Sequence, residues 1–262
     1  MLFSNRPRTH YHNAPAHEVI CQLRFPTILA IDSQAPYQFQ EAIRADYPQF
    51  AQRTENLPPK PVNGKLVPQG TQNNYQFVAQ DNHWKVNLTK SFISLSTNRY
   101  TRWEDFAKRL DKILAAFIQQ YNPAYFERVG LRFINSISRK TLDLEGESWR
   151  DLIQPGYLGL LADDDVRETG ILGDGQRYDI PIPGGCRAKI HAAPAMMKKK
   201  NIKTNQDVQE AVFILDNDIY MPGQIQPAHA AAALQTAHLQ ADSIFRGAIT
   251  TTLHEAMEPE LA

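Results

Sequence analysis

Asp216 and Asp218 stand two residues apart at the end of an expected strand, a spacing that turns both carboxylates to one face. Oxygen donors so placed suit a hard divalent cation, and with Glu18 or Asp242 added they would outline a nuclease-like metal centre. The competing reading is a strand end at which Asn217 forms a polar turn. His238 and Asp242 are one helical turn apart and could orient each other as a general-base pair; a half-buried histidine satisfied by its neighbour explains the same spacing. Lys198, Lys199, Lys200 and Lys203 are the best binding candidates. On a hairpin tip they would meet several phosphates and release their counterions, although lysines also guard sheet edges against unwanted pairing. Arg24 and Arg132 sit at matched places in two similar strands and could face an anionic ligand or pair within the sheet. His10, His12 and His17 read as a solvated arm, because a metal site there would need a fourth ligand and fixed geometry; no metal is expected.

Standard catalytic signatures are missing. There is no Gly-x-Ser-x-Gly elbow, phosphate loop, His-Glu-x-x-His or Cys-x-x-Cys. Gly170 to Gly175 is glycine-rich with the wrong spacing for a dinucleotide, and reads as a surface turn. Arg99-Tyr100 and Arg102-Trp103 could stack bases, but Trp103 is better explained by packing. Cys21 and Cys186 share no metal-ligand spacing, so a reducing, cytoplasmic setting is expected, and no cofactor. The 262 residues are 42% hydrophobic and 21% charged, which suits a folded chain with a sizeable core. Lys plus Arg and Asp plus Glu number 28 each, so no global field favours nucleic acid or an anionic membrane. The N-terminus lacks the apolar core of a signal peptide, and neither export nor membrane spanning is expected.

The elements that must position these residues follow from periodicity. Val19 to Phe25 reads as a strand ended by Pro26, and Pro36 opens a helix marked by Phe39, Ile43 and Tyr47. Proline and glycine crowd residues 56–74, which predicts a long irregular connection. Three strands follow, Tyr75 to Val78, Trp84 to Leu88 and Phe92 to Thr97. Thr101 and Glu104 match a capping box before a helix with Trp103, Phe106, Leu110, Ile113, Leu114 and Phe117 on one face. Then come a strand from Tyr125 to Ile137, a short helix at Ser148, an irregular excursion from Leu158 to Gly185, strands over Arg187–Met196 and Gln209–Tyr220, and one long helix from Ala228 to Met257.

The core Leu23-Arg24-Phe25 recurs about 108 residues later as Leu131-Arg132-Phe133. Two related halves, 1–123 and 124–262, each strand, helix, strands and long helix, therefore make one intimately packed α+β unit. The antiparallel sheet backed by long helices would be similar in outline to the saddle of TATA-binding-like folds, an analogy that carries no function. Ser91 to Asn98 would correspond to Ala211 to Asp218.

His17-Glu18-Val19-Ile20 with Leu23-Arg24-Phe25, Trp103, Arg128 to Asn135 and the terminal helix from Phe245 to Met257 together resemble the "sporadically distributed" family of uncharacterised prokaryotic proteins. The resemblance spans essentially the whole chain and implies a cytoplasmic protein carried with mobile or phage-defence genes; it transfers no site residue. The expectation is a non-enzymatic binding protein that recognises a protein or nucleic-acid partner through its sheet face and basic hairpin. The alternatives are a metal-dependent nucleic-acid-processing enzyme using Asp216, Asp218 and His238, and a structural subunit, as a homo-oligomer or in a larger assembly, contacting others through 56–74 and 158–185.

Overall fold

The computed structural model describes residues 2–57, 59–62, 64–169, 175–200 and 207–261. In chain order these form β1 (Thr9–Tyr11), β2 (Ala16–Arg24), α1 (Ala30–Ser33), α2 (Tyr37–Ile43), β3 (Gln49–Asn56), β4 (Lys60–Val62), β5 (Lys65–Val67), β6 (Thr71–Val78), β7 (Trp84–Leu88), β8 (Phe92–Thr97) and α3 (Trp103–Tyr121). The second half holds β9 (Phe126–Ser138), α4 (Trp149–Leu152), α5 (Pro155–Leu158), β10 (Gln176–Ile182), β11 (Cys186–Lys200), β12 (Asp207–Ile225), α6 (Ala230–Ala248), α7 (Thr251–Ala256) and β13 (Pro259–Leu261). Nine strands form one antiparallel sheet in the order β10-β11-β12-β9-β2-β8-β7-β6-β3, and the architecture is α+β.

The two strands carrying the repeated Leu-Arg-Phe core pair with each other at the sheet's centre, with Gln22 opposite Gly130 and Cys21 opposite Leu131. Outward from that pair the order reads β8, β7, β6 on one side and β12, β11, β10 on the other, with β3 added to the first. Gln22 and Gly130 are themselves 108 residues apart, so a local two-fold through this pair relates Arg24 to Arg132. Ser94 and Tyr220 flank the same two positions. The outer strands therefore match with an offset of 126 residues, correcting the pairing of Ser91–Asn98 with Ala211–Asp218. The two long helices have 19 residues each, and their starts, Trp103 and Ala230, lie 127 apart.

Alternation decides which face of the sheet is dry. Val19, Cys21, Leu23, Val129, Leu131, Leu215 and Ile219 are buried on the helix-bearing face. α3 lays down the six residues its periodicity marks, Trp103, Phe106, Leu110, Ile113, Leu114 and Phe117. Phe117 meets Phe25 and Phe126 with ring centroids 4.8 and 6.5 Å apart. α6 buries Ala230, Ala233, Ala237, Ala241 and Ala248, small side chains that let a helix approach closely, and its neighbours are β9 and β12.

Several boundaries differ from expectation. The final helix is broken, because Ala248 O accepts from Gln154 N at 2.8 Å, Thr250 N donates to Leu152 O at 3.0 Å, and Ile249 forms a β-bridge to Ile153. Thr250 then caps α7 by accepting from Leu253 N. α3 begins after Arg102 with no side-chain cap, and Thr101 Oγ1 bonds Asp105 instead of closing a capping box. The true capping box is at Ser148 with Asp151. Residues 56–74 are less irregular than their prolines suggest: β3 and β6 pair from Gln49↔Val78 to Asn56↔Thr71, with the β4–β5 hairpin between them. β3 gives no periodic signal in the sequence because it is almost wholly exposed and lacks alternation. The excursion from 158 likewise contains a strand, β10. No helix among the described residues is long and apolar enough to cross a membrane.

Candidate functional site

The face opposite the long helices carries polar side chains across the whole sheet. Arg24, Gln22, Glu18, Arg128, Arg132, Asp216, Asp218, Lys189 and His191 share it by strand register. Asp216 and Asp218 do point the same way, but from the middle of β12, so Asn217 forms no turn and is instead buried on the opposite face. Each carboxylate has its own guanidinium. Arg132 Nε and Nη2 donate to Asp216 Oδ1 and Oδ2 at 2.7 and 2.5 Å, and Arg128 Nη2 donates to Asp218 Oδ1 at 2.5 Å. The bond to Asp216 holds Arg132 above the usual guanidinium range, with Asp218 and Glu18 adding to the field. Arginines therefore stand where the sequence left room for a cation. Asp242, the other suggested ligand, lies on the helix side.

Gly130 explains how Arg128 reaches its partner. A Cβ there would collide with the Arg128 guanidinium, so the missing side chain leaves the space over Gly130 through which that group passes from β9 to β12, its carbon 4.5 Å above the Tyr220 ring. A glycine inside a strand is the sequence signal for such an approach. Beside this cluster, Arg177, Asp179, Lys189, His191 and Arg132 ring a depression of about 540 Å³. Arg24 differs from its symmetry mate: it is exposed and has no ion-pair partner among the described residues.

β11 and β12 form the longest ladder in the molecule, from Arg187↔Tyr220 to Lys200↔Asp207. β10 leaves β11 after Ala192, and β9 leaves β12 at Val212. Beyond those points the two strands run on as a lone ribbon carrying Lys198, Lys199 and Lys200 on its backbone. Lys198 is exposed; Lys203 lies outside the described residues, as does the glycine-rich stretch 170–174.

On the helix side, an N-terminal arm closes a cleft of roughly 370 Å³ lined by Arg8, His10, Trp103, Glu104, Phe133, His238, Asp242 and Glu260 among others. His238 does not pair with Asp242. The Asp242 carboxylate accepts from Arg246 Nη2 at 2.8 Å, while Arg246 Nη1 also donates to the carbonyls of Arg6 and Pro7 and so pins the arm to α6. Burial nonetheless raises the Asp242 carboxyl against the pull of Arg246. His238 is 5% exposed, and neither ring nitrogen has a hydrogen-bond partner among the described residues. Its ring stacks on Trp103 at 4.4 Å, whose indole N–H donates to Gln235. Burial, reinforced by Arg8, pushes its pKa down to about 4, so the imidazole is neutral at pH 7. Such a ring is a weak base, and no nucleophile among the described residues is hydrogen-bonded to it.

The aromatic pairs weighed for base stacking are committed to packing: Tyr100 meets Phe106 and Phe133, and Trp103 is buried. Cys21 and Cys186 are buried free thiols, each raised by desolvation. Neither a scan of known protein-family models nor a search of curated proteins finds a match to this chain.

Proposed function

We propose that this protein is a non-enzymatic recognition module that docks duplex nucleic acid along the open face of its sheet, with the β11–β12 ribbon as a basic clamp. One observation carries the reading: the lysine-bearing ribbon projects past both neighbouring strands from the edge of a face that no helix covers among the described residues. Nine strands at about 4.8 Å spacing make that face roughly 38 Å wide, comparable to one turn of a double helix. Its cations include the unpaired Arg24, and a phosphate could compete with Asp216 for Arg132. The aromatic rings on this face among the described residues, Tyr220 and Phe92, are buried and half-buried, which favours contact with a duplex backbone over stacking of single-stranded bases. A two-stranded ribbon is also an element that a major groove admits. A phage-defence or mobile-element setting, as the family resemblance implies, belongs to the same proposal.

Fluorescence anisotropy with a labelled 30-base-pair duplex tests it. Wild-type affinity should fall steeply with salt, and changing Lys198, Lys199 and Lys200 together to Glu should flatten the log–log slope by about three units. Unaltered duplex binding by that variant removes the proposal; retention of a protein partner but no duplex would reassign the face to protein recognition.

A further inference from the structure

Apart from the sheet face, the arm and the C-terminus assemble a second constellation. β1 pairs with β13 so that His10 stands opposite Glu260. His12 follows His10 by two residues, and its backbone N–H continues the ladder to Glu258 O at 3.2 Å, so the strand period brings both imidazoles to the side of Glu260. Tyr11, between them, turns inward and shares a 2.8 Å hydrogen bond with His254 Nδ1. The donor atoms of His10, His12 and Glu260 all lie within 4.8 Å of one another. His12 Nε2 is 3.4 Å from Glu260 Oε2, and the two imidazoles meet edge to face at 5.5 Å.

We propose that His10, His12 and Glu260 bind a divalent transition-metal ion, with zinc as the ion of best fit. Two imidazole nitrogens and one carboxylate are a borderline-soft donor set that zinc accepts, and bonds of about 2.1 Å at tetrahedral angles place donors about 3.4 Å apart. The His12–Glu260 separation already equals that value, and the remaining donor, the half-buried His10, needs only a rotamer adjustment against two exposed partners. Three protein ligands leave a coordination position open, and His10 and Glu260 both line the cleft, so a small anion or water entering it would complete the shell. The sequence hid this site because its carboxylate is about 250 residues from its histidines. The backbone that carries it is not a free tail: Arg246 holds the carbonyls of Arg6 and Pro7, Arg8 pairs with Glu104 at 2.7 Å, and Asn13 N donates to Met257 O at 3.1 Å. An ion bound here would fasten the first strand to the last, and so raise the melting temperature.

The test is calorimetric titration of the untagged, chelator-treated full chain with zinc chloride, alongside thermal melts. The expected result is one ion per chain, a higher Tm with zinc, and affinity reduced at least about tenfold in His12→Ala and in Glu260→Gln, with His17→Ala unchanged. Cobalt substituted for zinc should give the visible bands of a tetrahedral site, absent in His12→Ala. No saturable uptake, or uptake equal in His12→Ala, Glu260→Gln and His17→Ala, would overturn the assignment. Circular dichroism confirms that each exposed substitution leaves the fold intact. Duplex affinity measured with and without zinc keeps this result separate from the sheet-face proposal.

Discussion

His238 ties a single side chain to the stability of the whole. Its folded pKa, about 4, lies below the ordinary imidazole value of 6.5, so the unfolded chain binds the extra proton between those values. Stability is therefore undiminished above pH 6.5 and is lost as pH falls toward 4, by about 3 kcal/mol from this group alone. His238→Phe keeps the stack on Trp103 and removes the titration. Unfolding free energies from urea titrations between pH 7 and 4 should decline less in this variant by about that amount, and parallel curves would refute the assignment. At the sheet's centre, Gly130→Ala should displace Arg128, break its pair with Asp218 and lift it from Tyr220. Because the group that must move is a flexible side chain, the cost should be modest, about 1 kcal/mol, measured as a shift in chemical-denaturation midpoint; a cost several times larger would mean that the backbone, not Arg128, had yielded.

Secondary-structure elements whose physics is local were legible in the sequence. The α3 stripe and the alternation of β7 needed only period and burial, and both are found where expected. What failed depended on partners far away in the chain or, at Thr101, on a competing local hydrogen bond. The Ala228–Met257 helix looks continuous, yet Gln154 N donates to Ala248 O and Leu152 O accepts from Thr250 N, which splits it near Ile249. β3 reads as loop because an exposed edge strand has no dry face to enforce alternation. The capping box was recognisable at Ser148 but misread at Thr101, whose hydroxyl found Asp105. Thr250 holds the break open by capping α7. Thr250→Ala should cost about 1 kcal/mol, visible as a lower Tm, whereas Thr250→Ser should restore it; no change in either variant would show that the break is fixed by the backbone contacts with Leu152, Ile153 and Gln154 and not by the cap.

Across the molecule as a whole, the site was partly legible. Arg24 and Arg132, at matched places in their strands, share one face by register, and the i, i+2 rule placed Asp216 and Asp218 together. Sequence could not show that Arg128 and Arg132 neutralise those carboxylates, because the pairing depends on β9 lying beside β12. Nor could it show that the lysine ribbon outruns its neighbours, since strand length relative to adjacent strands is a property of the assembled sheet. These two facts turn an apparent acidic metal centre into a charge-paired surface flanked by a basic projection. The claim that this surface docks duplex nucleic acid is tested most directly by charge reversal on opposite faces of the sheet. Arg24→Glu on the open face should weaken duplex binding about tenfold, whereas Lys108→Glu on the exposed side of α3 should leave it unchanged. Equal losses from both, or no loss from Arg24→Glu, would contradict the account.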